Sequence, residues 1–381
     1  MFYSTTSMRR GGMASLTAVI TRGTLECQTL TCDPTDLAAA IHARAVALRD
    51  DGKPARARQA CLRSLRLFVR HCGRRHPDVA NVVLELALAE HDLGRHAQSL
   101  RLVERALRIL KFLRGVGQLR VQALGQLGSL HLAQGDYRLA EASYRRALVI
   151  ASSSPDPGAA ITAMNGLGVV CKYTARFAEA ARYYRKALAL TQHVRGAHHP
   201  LVATILHNMG GLEHSRGRFA RGEPFARRAV ALRERALGPD HPDVAADLAA
   251  LAAIVMSRGN RGEAELLYRR AIRVFGRALG RGHWEVGFNL GQLAALCQAE
   301  GRLADASRLY GRAVRTLSRQ LGPRHPLLAM TLWNLASLRR GQHRPSEAAR
   351  LCRTALAIFR ATIGSRHPDT IACAADLSLS R

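Results

Sequence analysis

Apolar and polar residues repeat along this chain with a period of 42 residues, which histidines mark most clearly: His199, His241, His283, His325 and His367. Four of these five histidines precede a proline, and an earlier His76-Pro77 stands three slightly shortened periods before His199. A period of this size predicts stacked copies of one supersecondary unit rather than a single globular core.

Each period contains two apolar stripes, which predict two helices. Counted from the histidine as zero, apolar residues at positions 7, 10, 11 and 14 share one face of a helix. A glycine at position 18 ends that helix, and apolar residues at positions 23, 27 and 30 predict a second helix. Proline after the histidine suits the first turn of the next helix. The pattern predicts that the following residues are buried: Leu251, Ala252, Leu293, Ala294, Leu335, Ala336, Ala271 and Ala313.

These columns resemble the tetratricopeptide repeat (TPR), and the length of 42 residues resembles its kinesin-light-chain-type variant. The segments that carry the resemblance are Asn334-Leu335-Ala336, residues 301–306, residues 268–272 and residues 237–242. The resemblance implies an all-α fold, a right-handed superhelical solenoid of antiparallel helix pairs.

The pattern divides the chain into a loose N-terminal leader at 1–33, tandem helix pairs at 34–366, and a C-terminal capping helix and tail at 367–381. Eight pairs are predicted, at about 34–75, 76–116, 117–156, 157–198, 199–240, 241–282, 283–324 and 325–366. Their first helices are expected to begin near residues 36, 77, 118, 158, 200, 242, 284 and 326.

Composition limits the function classes. The sequence contains no run of 18 apolar residues that would predict a transmembrane helix, so we expect no membrane partner. Eight scattered cysteines without a CxxC pair indicate reduced thiols in a cytoplasmic protein. Sequence motifs of nucleotide-binding, hydrolase and zinc sites are absent, so we expect no enzyme activity, no cofactor and no metal. His207 and His214 share a helix face, but a third metal ligand is missing.

The TPR resemblance implies that the first helix of each pair lines a concave groove. The corresponding positions are small or polar and nearly uncharged, and amides suit the main chain of a bound segment. The amide column at position 9 is incomplete, and Phe288, Met330 and Trp333 are either apolar anchors or packing residues between repeats. We predict a partner-binding groove made of Asn165, Thr204, His207, Asn208, His214, Phe288, Gln292, Met330, Trp333 and Asn334.

The net charge of +29 comes almost entirely from arginine. Positions 28 and 29 place a ladder of basic residues on the second helices: Arg145, Arg146, Arg185, Arg227, Arg228, Arg269 and Arg270. This ladder is either a solvated face paired with nearby glutamates or a site for nucleic acid and other polyanions. We expect a protein-protein interaction scaffold that binds a protein or peptide segment. The alternatives are a polyanion-binding module and the sensor arm of a signalling system.

Overall fold

The structure, a computed structural model, describes residues 33–153, 157–365 and 367–378, so residues 1–32 of the predicted leader, with Cys27 and Cys32, lie outside it. The described residues form seventeen α-helices and no strand. The helices are α1 Pro34–Asp50, α2 Pro54–Cys72, α3 Pro77–Asp92, α4 His96–Leu110, α5 Gly117–Ala133, α6 Tyr137–Ser152, α7 Gly158–Tyr173, α8 Phe177–Arg195, α9 Pro200–Ser215, α10 Phe219–Leu237, α11 Pro242–Ser257, α12 Arg261–Ala278, α13 Trp284–Ala299, α14 Leu303–Leu321, α15 Pro326–Gly341, α16 Pro345–Thr362 and α17 Pro368–Ser378.

Consecutive helices pack as pairs, α1 with α2 through α15 with α16, and the predicted all-α solenoid is confirmed. The first helices begin at residues 34, 77, 117, 158, 200, 242, 284 and 326, each within two residues of the predicted start. By its contacts the chain separates into two compact units, with α1–α4 in the first and α5–α17 in the second; the boundary lies between Leu113 and Arg114.

The repeating histidines cap helices with their side chains. In each case Nδ1 accepts a hydrogen bond from the backbone N–H two residues later, at 3.1–3.3 Å. The six caps are His76, His199, His241, His283, His325 and His367. The sequence pattern connected the helix start with the His-Pro step but not with a side-chain bond of the histidine, and His283 caps α13 without a following proline. The imidazole acceptor therefore accounts for the fixed position of the histidine.

The tyrosines at position 27 explain the small residues at position 11. Tyr144, Tyr184, Tyr268 and Tyr310 are all buried. A Cβ atom added at Gly168 would lie 2.4 Å from Cε1 of Tyr184, so the ring occupies the space of the missing side chain. The eight residues predicted to be buried are confirmed, and the most exposed of them, Leu335, is 9% exposed.

In the second unit, first helices of neighbouring pairs contact one another: α5 with α7, α7 with α9, α9 with α11, and α13 with α15. Each second helix contacts chiefly its own partner and the first helix of the next pair. The first helices therefore line the inner side of this stack. The two ends of the unit also meet, because the Tyr137 hydroxyl lies 3.2 Å from Nε2 of His367.

Candidate partner-binding face

All ten residues of the predicted groove lie on first helices of the second unit, and we call them the first-helix face. Asn165 lies on α7, four residues on α9, Phe288 and Gln292 on α13, and three residues on α15. The four residues on α9 are Thr204, His207, Asn208 and His214, and the three on α15 are Met330, Trp333 and Asn334.

The amides of this face keep unused hydrogen-bonding capacity. Asn208 donates from Nδ2 to Oδ1 of Asn165 at 2.8 Å. The other amide atoms of these two residues make no hydrogen bond with the described residues, and neither do the half-buried side chains of Gln292 and Asn334. In α5, the buried Oε1 atom of Gln126 also has no partner among the described residues. The donors and acceptors of these four amides that have no partner among the described residues are available for further hydrogen bonds.

Two predicted groove residues take part in a network that joins two repeats. His207 Nδ1 lies 2.8 Å from Oδ1 of Asp247, and Nε of Arg233 donates to Oδ2 of Asp247 at 2.6 Å. Arg233 also donates from Nη2 to the Thr204 hydroxyl at 3.3 Å. The side chains of Arg233 and Asp247 are only 4% and 2% exposed. The sequence pattern missed this pair, which connects α9, α10 and α11.

His207 and His214 turn to different partners. Nε2 of His214 lies 3.0 Å from the Ser257 hydroxyl, and its ring contacts Phe219 with 5.3 Å between centroids. Burial, with a smaller effect of the Lys172 charge, lowers the pKa of His214. The described part of the chain holds no group of three or more side chains arranged to bind a metal ion.

Lys172 is an isolated cation on the inner side of the second unit. Its Nζ atom lies 4.7 Å from the centroid of the Tyr173 ring, and no carboxylate pairs with it among residues 114–378 that the structure describes. Burial lowers the pKa of Lys172 to about 8. On α13, burial and the charge of Asp243 raise the pKa of Glu285 to about 8. The side chains of Lys172 and Glu285 are half-buried. The surrounding helices therefore remove part of the water that would stabilise their charged forms, which shifts both pKa values towards the neutral form.

The three candidate apolar anchors belong to the packing between repeats. Phe288 is buried, and Met330 and Trp333 pack against the same apolar cluster. Trp333 donates from Nε1 to Oδ2 of Asp376 at 2.7 Å, and its ring meets Phe359 edge to face with 6.3 Å between centroids. Packing with the last helix accounts for Trp333 without a partner.

The arginine ladder on the second helices is mostly neutralised. Arg145, Arg227, Arg269 and Arg270 each pair with a glutamate at 2.6–2.7 Å. Arg185 donates to the carbonyl of Ala181 in its own helix. Arg146 and Arg228 are exposed, and no acidic partner accompanies them among the described residues. The ladder is therefore not a continuous strip of free positive charge.

A column of glutamates at position 24 produces much of this neutralisation. Glu141 accepts from Arg176 of the next pair at 2.6 Å, and Glu265 accepts from Arg302 of the next pair at 2.8 Å. Glu223 pairs with Arg258 in the same way. The nearby glutamates in the sequence favoured such pairs, but the connection across repeats becomes visible only in the structure.

Family comparison agrees with this architecture. The model of the MalT-like TPR region matches residues 103–279, and a tetratricopeptide-repeat model matches residues 36–111 and 287–361. The chain belongs to the tetratricopeptide-repeat family. Among curated proteins, no sequence matches this TPR protein. None of its described helices combines the length and the apolar character needed to cross a bilayer.

Solved structures are similar in fold at low sequence identity. A Rap protein complexed with Competence and Sporulation Factor has a TM-score of 0.60 at 11% identity, covering 91% of this chain and 100% of that one. Yeast Tom70 has a TM-score of 0.54 at 14% identity, covering 93% of this chain and 66% of that one. A Podosopora anserina protein described as a kinesin light chain has a TM-score of 0.44 at 20% identity, covering 53% and 95%.

Proposed function

We propose that this TPR protein is a non-catalytic scaffold that binds a segment of another protein, or of its own chain, along the first-helix face. The amides of Asn165, Asn208, Gln292 and Asn334, which keep donors and acceptors without a partner among the described residues, carry this proposal. Each amide supplies a donor and an acceptor, which is the pattern that a peptide main chain needs. The Rap protein with the similar fold was solved with a bound factor, which supports a peptide or protein as the partner.

The charge of the inner side also supports a peptide. Among the described positions predicted to face the groove in the second unit, the cations are Lys172 and Arg340, and Arg340 lies 3.8 Å from Asp376. A concave site for nucleic acid would need several cations to neutralise phosphates. The paired arginines of the second helices disfavour the convex ladder as a polyanion site, and no contact in the structure favours a sensor-arm role.

The experiment compares capture of a partner by the wild type and by the double variant Asn208→Ala/Asn334→Ala. A protein captured from an extract is identified, and its binding segment is then titrated by calorimetry. Each lost amide contact costs about 0.5–1.5 kcal/mol, so the double variant should bind roughly 5- to 150-fold more weakly.

The matched control is Arg146→Gln/Arg228→Gln, which changes two exposed side chains on second helices. This control should keep the affinity of the wild type, and thermal unfolding of both variants checks that the fold is intact. Unchanged affinity in the amide variant, or equal losses in both variants, would refute the assignment of the first-helix face.

A further inference from the structure

A second surface lies in the first unit, where the C-terminal turns of α2 and α4 border a cavity of about 910 Å³. We call it the α2–α4 cleft. Six arginines line it: Arg66, Arg70, Arg74, Arg75, Arg105 and Arg108. No acidic side chain lines it. Basic residues near a helix C-terminus stabilise the helix by interacting with its dipole, but one or two of them are enough for that effect.

The arginines of the cleft are unpaired, unlike most of the ladder in the second unit. None of the six forms an ion pair or a side-chain hydrogen bond with the described residues. The sequence gives the reason, because α2 contains five arginines and no acidic residue. The one acidic residue of α4 is Glu104, which forms no ion pair with the described residues and does not line the cleft. The cleft therefore concentrates positive charge that an anionic partner would neutralise.

The floor of the cleft is apolar. Leu65, Val69 and Ile109 line it, and Phe112 at its edge is 73% exposed. The lining contains no asparagine, glutamine, serine, threonine or tyrosine. Single-stranded nucleic acid sites combine basic grooves with several aromatic rings for base stacking, whereas this floor is mainly aliphatic. Aliphatic floors bordered by cations suit an amphipathic helix that carries carboxylates beside its apolar face.

The chain itself does not supply such a segment. Residues 1–32 contain one acidic residue, Glu26, against three arginines, and residues 379–381 contain none. A second copy of the chain would bring another net charge of +29. Charge complementarity therefore favours a different molecule with negative charge as the occupant.

We propose that the α2–α4 cleft binds an acidic amphipathic helix of a partner protein. Apolar side chains of that helix would cover Leu65, Val69, Ile109 and Phe112, and its carboxylates would pair with the surrounding arginines. The helical part of the α2 side runs from Leu65 to the end of α2 at Cys72, about 10 Å at the helical rise, so it accommodates roughly two helical turns. This surface is separate from the first-helix face, and the proposal does not depend on it.

The test uses a fluorescent synthetic peptide with glutamates on one helical face and leucines on the opposite face, together with a scrambled peptide of the same composition. Anisotropy is measured with the full chain at physiological salt, which screens unspecific attraction. The variant Arg70→Gln/Arg74→Gln/Arg105→Gln/Arg108→Gln should weaken binding of the amphipathic peptide by about tenfold or more.

The matched control removes the same amount of charge from exposed arginines of the second unit that have no acidic partner among the described residues: Arg146→Gln/Arg228→Gln/Arg319→Gln/Arg360→Gln. It should change the affinity by less than about twofold, because its charges lie outside the cleft. Equal losses in the two quadruple variants would mean that only net charge matters, and would overturn the proposal.

Phe112→Ser tests the apolar contribution, since so exposed a side chain is replaced without disturbing the core. It should weaken binding of the amphipathic peptide by about threefold or more and leave the scrambled peptide unchanged. Equal binding of the two peptides to the wild type would overturn the proposal. So would tighter binding of an oligo-dT strand or of phosphatidylserine vesicles that depends on the same four arginines.

Discussion

Replacing Gly168 with alanine sets helix propensity against packing. Gly168 lies within α7, where alanine is favoured over glycine by about 1 kcal/mol in the absence of tertiary contacts. In this fold the added Cβ would lie 2.4, 2.7 and 2.9 Å from three carbons of the Tyr184 ring. Propensity therefore predicts a more stable protein, and packing predicts a less stable one.

The packing term should dominate. Tyr184 is 0% exposed, so its ring cannot move into solvent to make room. Forcing an extra carbon into a packed core costs about 1–3 kcal/mol, and overlap with three ring carbons places this case at the upper end. After subtraction of the propensity gain, Gly168→Ala should lower the free energy of unfolding by about 1–2 kcal/mol.

Urea unfolding, with hydrogen exchange of α7 and α8, measures this loss locally as well as globally. The control is Gly125→Ala in α5. Apart from its chain neighbours and the backbone of its own helix, no atom of the described residues lies within 4 Å of the new Cβ. That control should gain up to about 1 kcal/mol from propensity. When Tyr184 is first replaced by leucine, Gly168→Ala should become neutral or stabilising. A Gly168→Ala protein as stable as the wild type would refute the steric argument.

Two further predictions concern buried polar groups. Burial lowers the pKa of His283 to about 4, so folding favours the neutral imidazole that caps α13. The stability contributed by this neutral cap is complete above pH 6.5 and is lost as the pH falls towards 4. His283→Asn keeps a capping acceptor that does not titrate. Between pH 6.5 and pH 4 its free energy of unfolding, measured by urea titration, should therefore fall by about 2 kcal/mol less than that of the wild type. Glu285 changes stability with pH in the opposite direction, but both proteins contain it, so it does not affect the comparison. Identical pH slopes would contradict the cap. Asp247→Asn removes the closer of the two carboxylates that pair with the buried Arg233 guanidinium, at 2.6 Å against 3.7 Å for Asp243, and should cost about 3 kcal/mol. The exposed pair in Asp305→Asn should cost far less, because solvent screens it. Equal small losses in these two variants would show that the pair is not effectively buried.

The sequence predicts what depends on neighbours within one repeat. The starts of the first helices follow from the histidine period, and residues such as Ala271 and Ala313 are buried as their column requires. The capping bond of the histidine was not predicted. Histidine and proline are neighbours and recur with the same period, so the spacing alone does not show which of the two side chains begins the helix. Local periodicity is therefore sufficient to predict where the helices lie, but not to predict every hydrogen bond that caps them.

Contacts between repeats could not be predicted from the columns. Asp247 and Arg233 stand at different positions of successive repeats, and their pairing depends on how α10 approaches α11. The same limit applies to the candidate site: the sequence places Asn208 on a first helix, but its bond to Asn165 depends on the offset between α7 and α9. Distances across a repeat boundary arise from superhelical geometry, which a 42-residue period leaves undetermined.

Acidic residues, more than arginines, distinguish the charged surfaces of this protein. In the second unit the glutamates at position 24 join successive pairs and neutralise arginines such as Arg176 and Arg302, so these cations stabilise the stack. In the first unit Glu85 and Glu90 neutralise Arg49, Arg58 and Arg95 in the same way. The six arginines around the cleft differ, because none of them has an ion-pair partner among the described residues. An arginine-rich composition alone would produce arginines in both places. The combination of unpaired arginines with an apolar lining and an exposed Phe112 is what supports the proposal that the positive charge of the cleft serves binding.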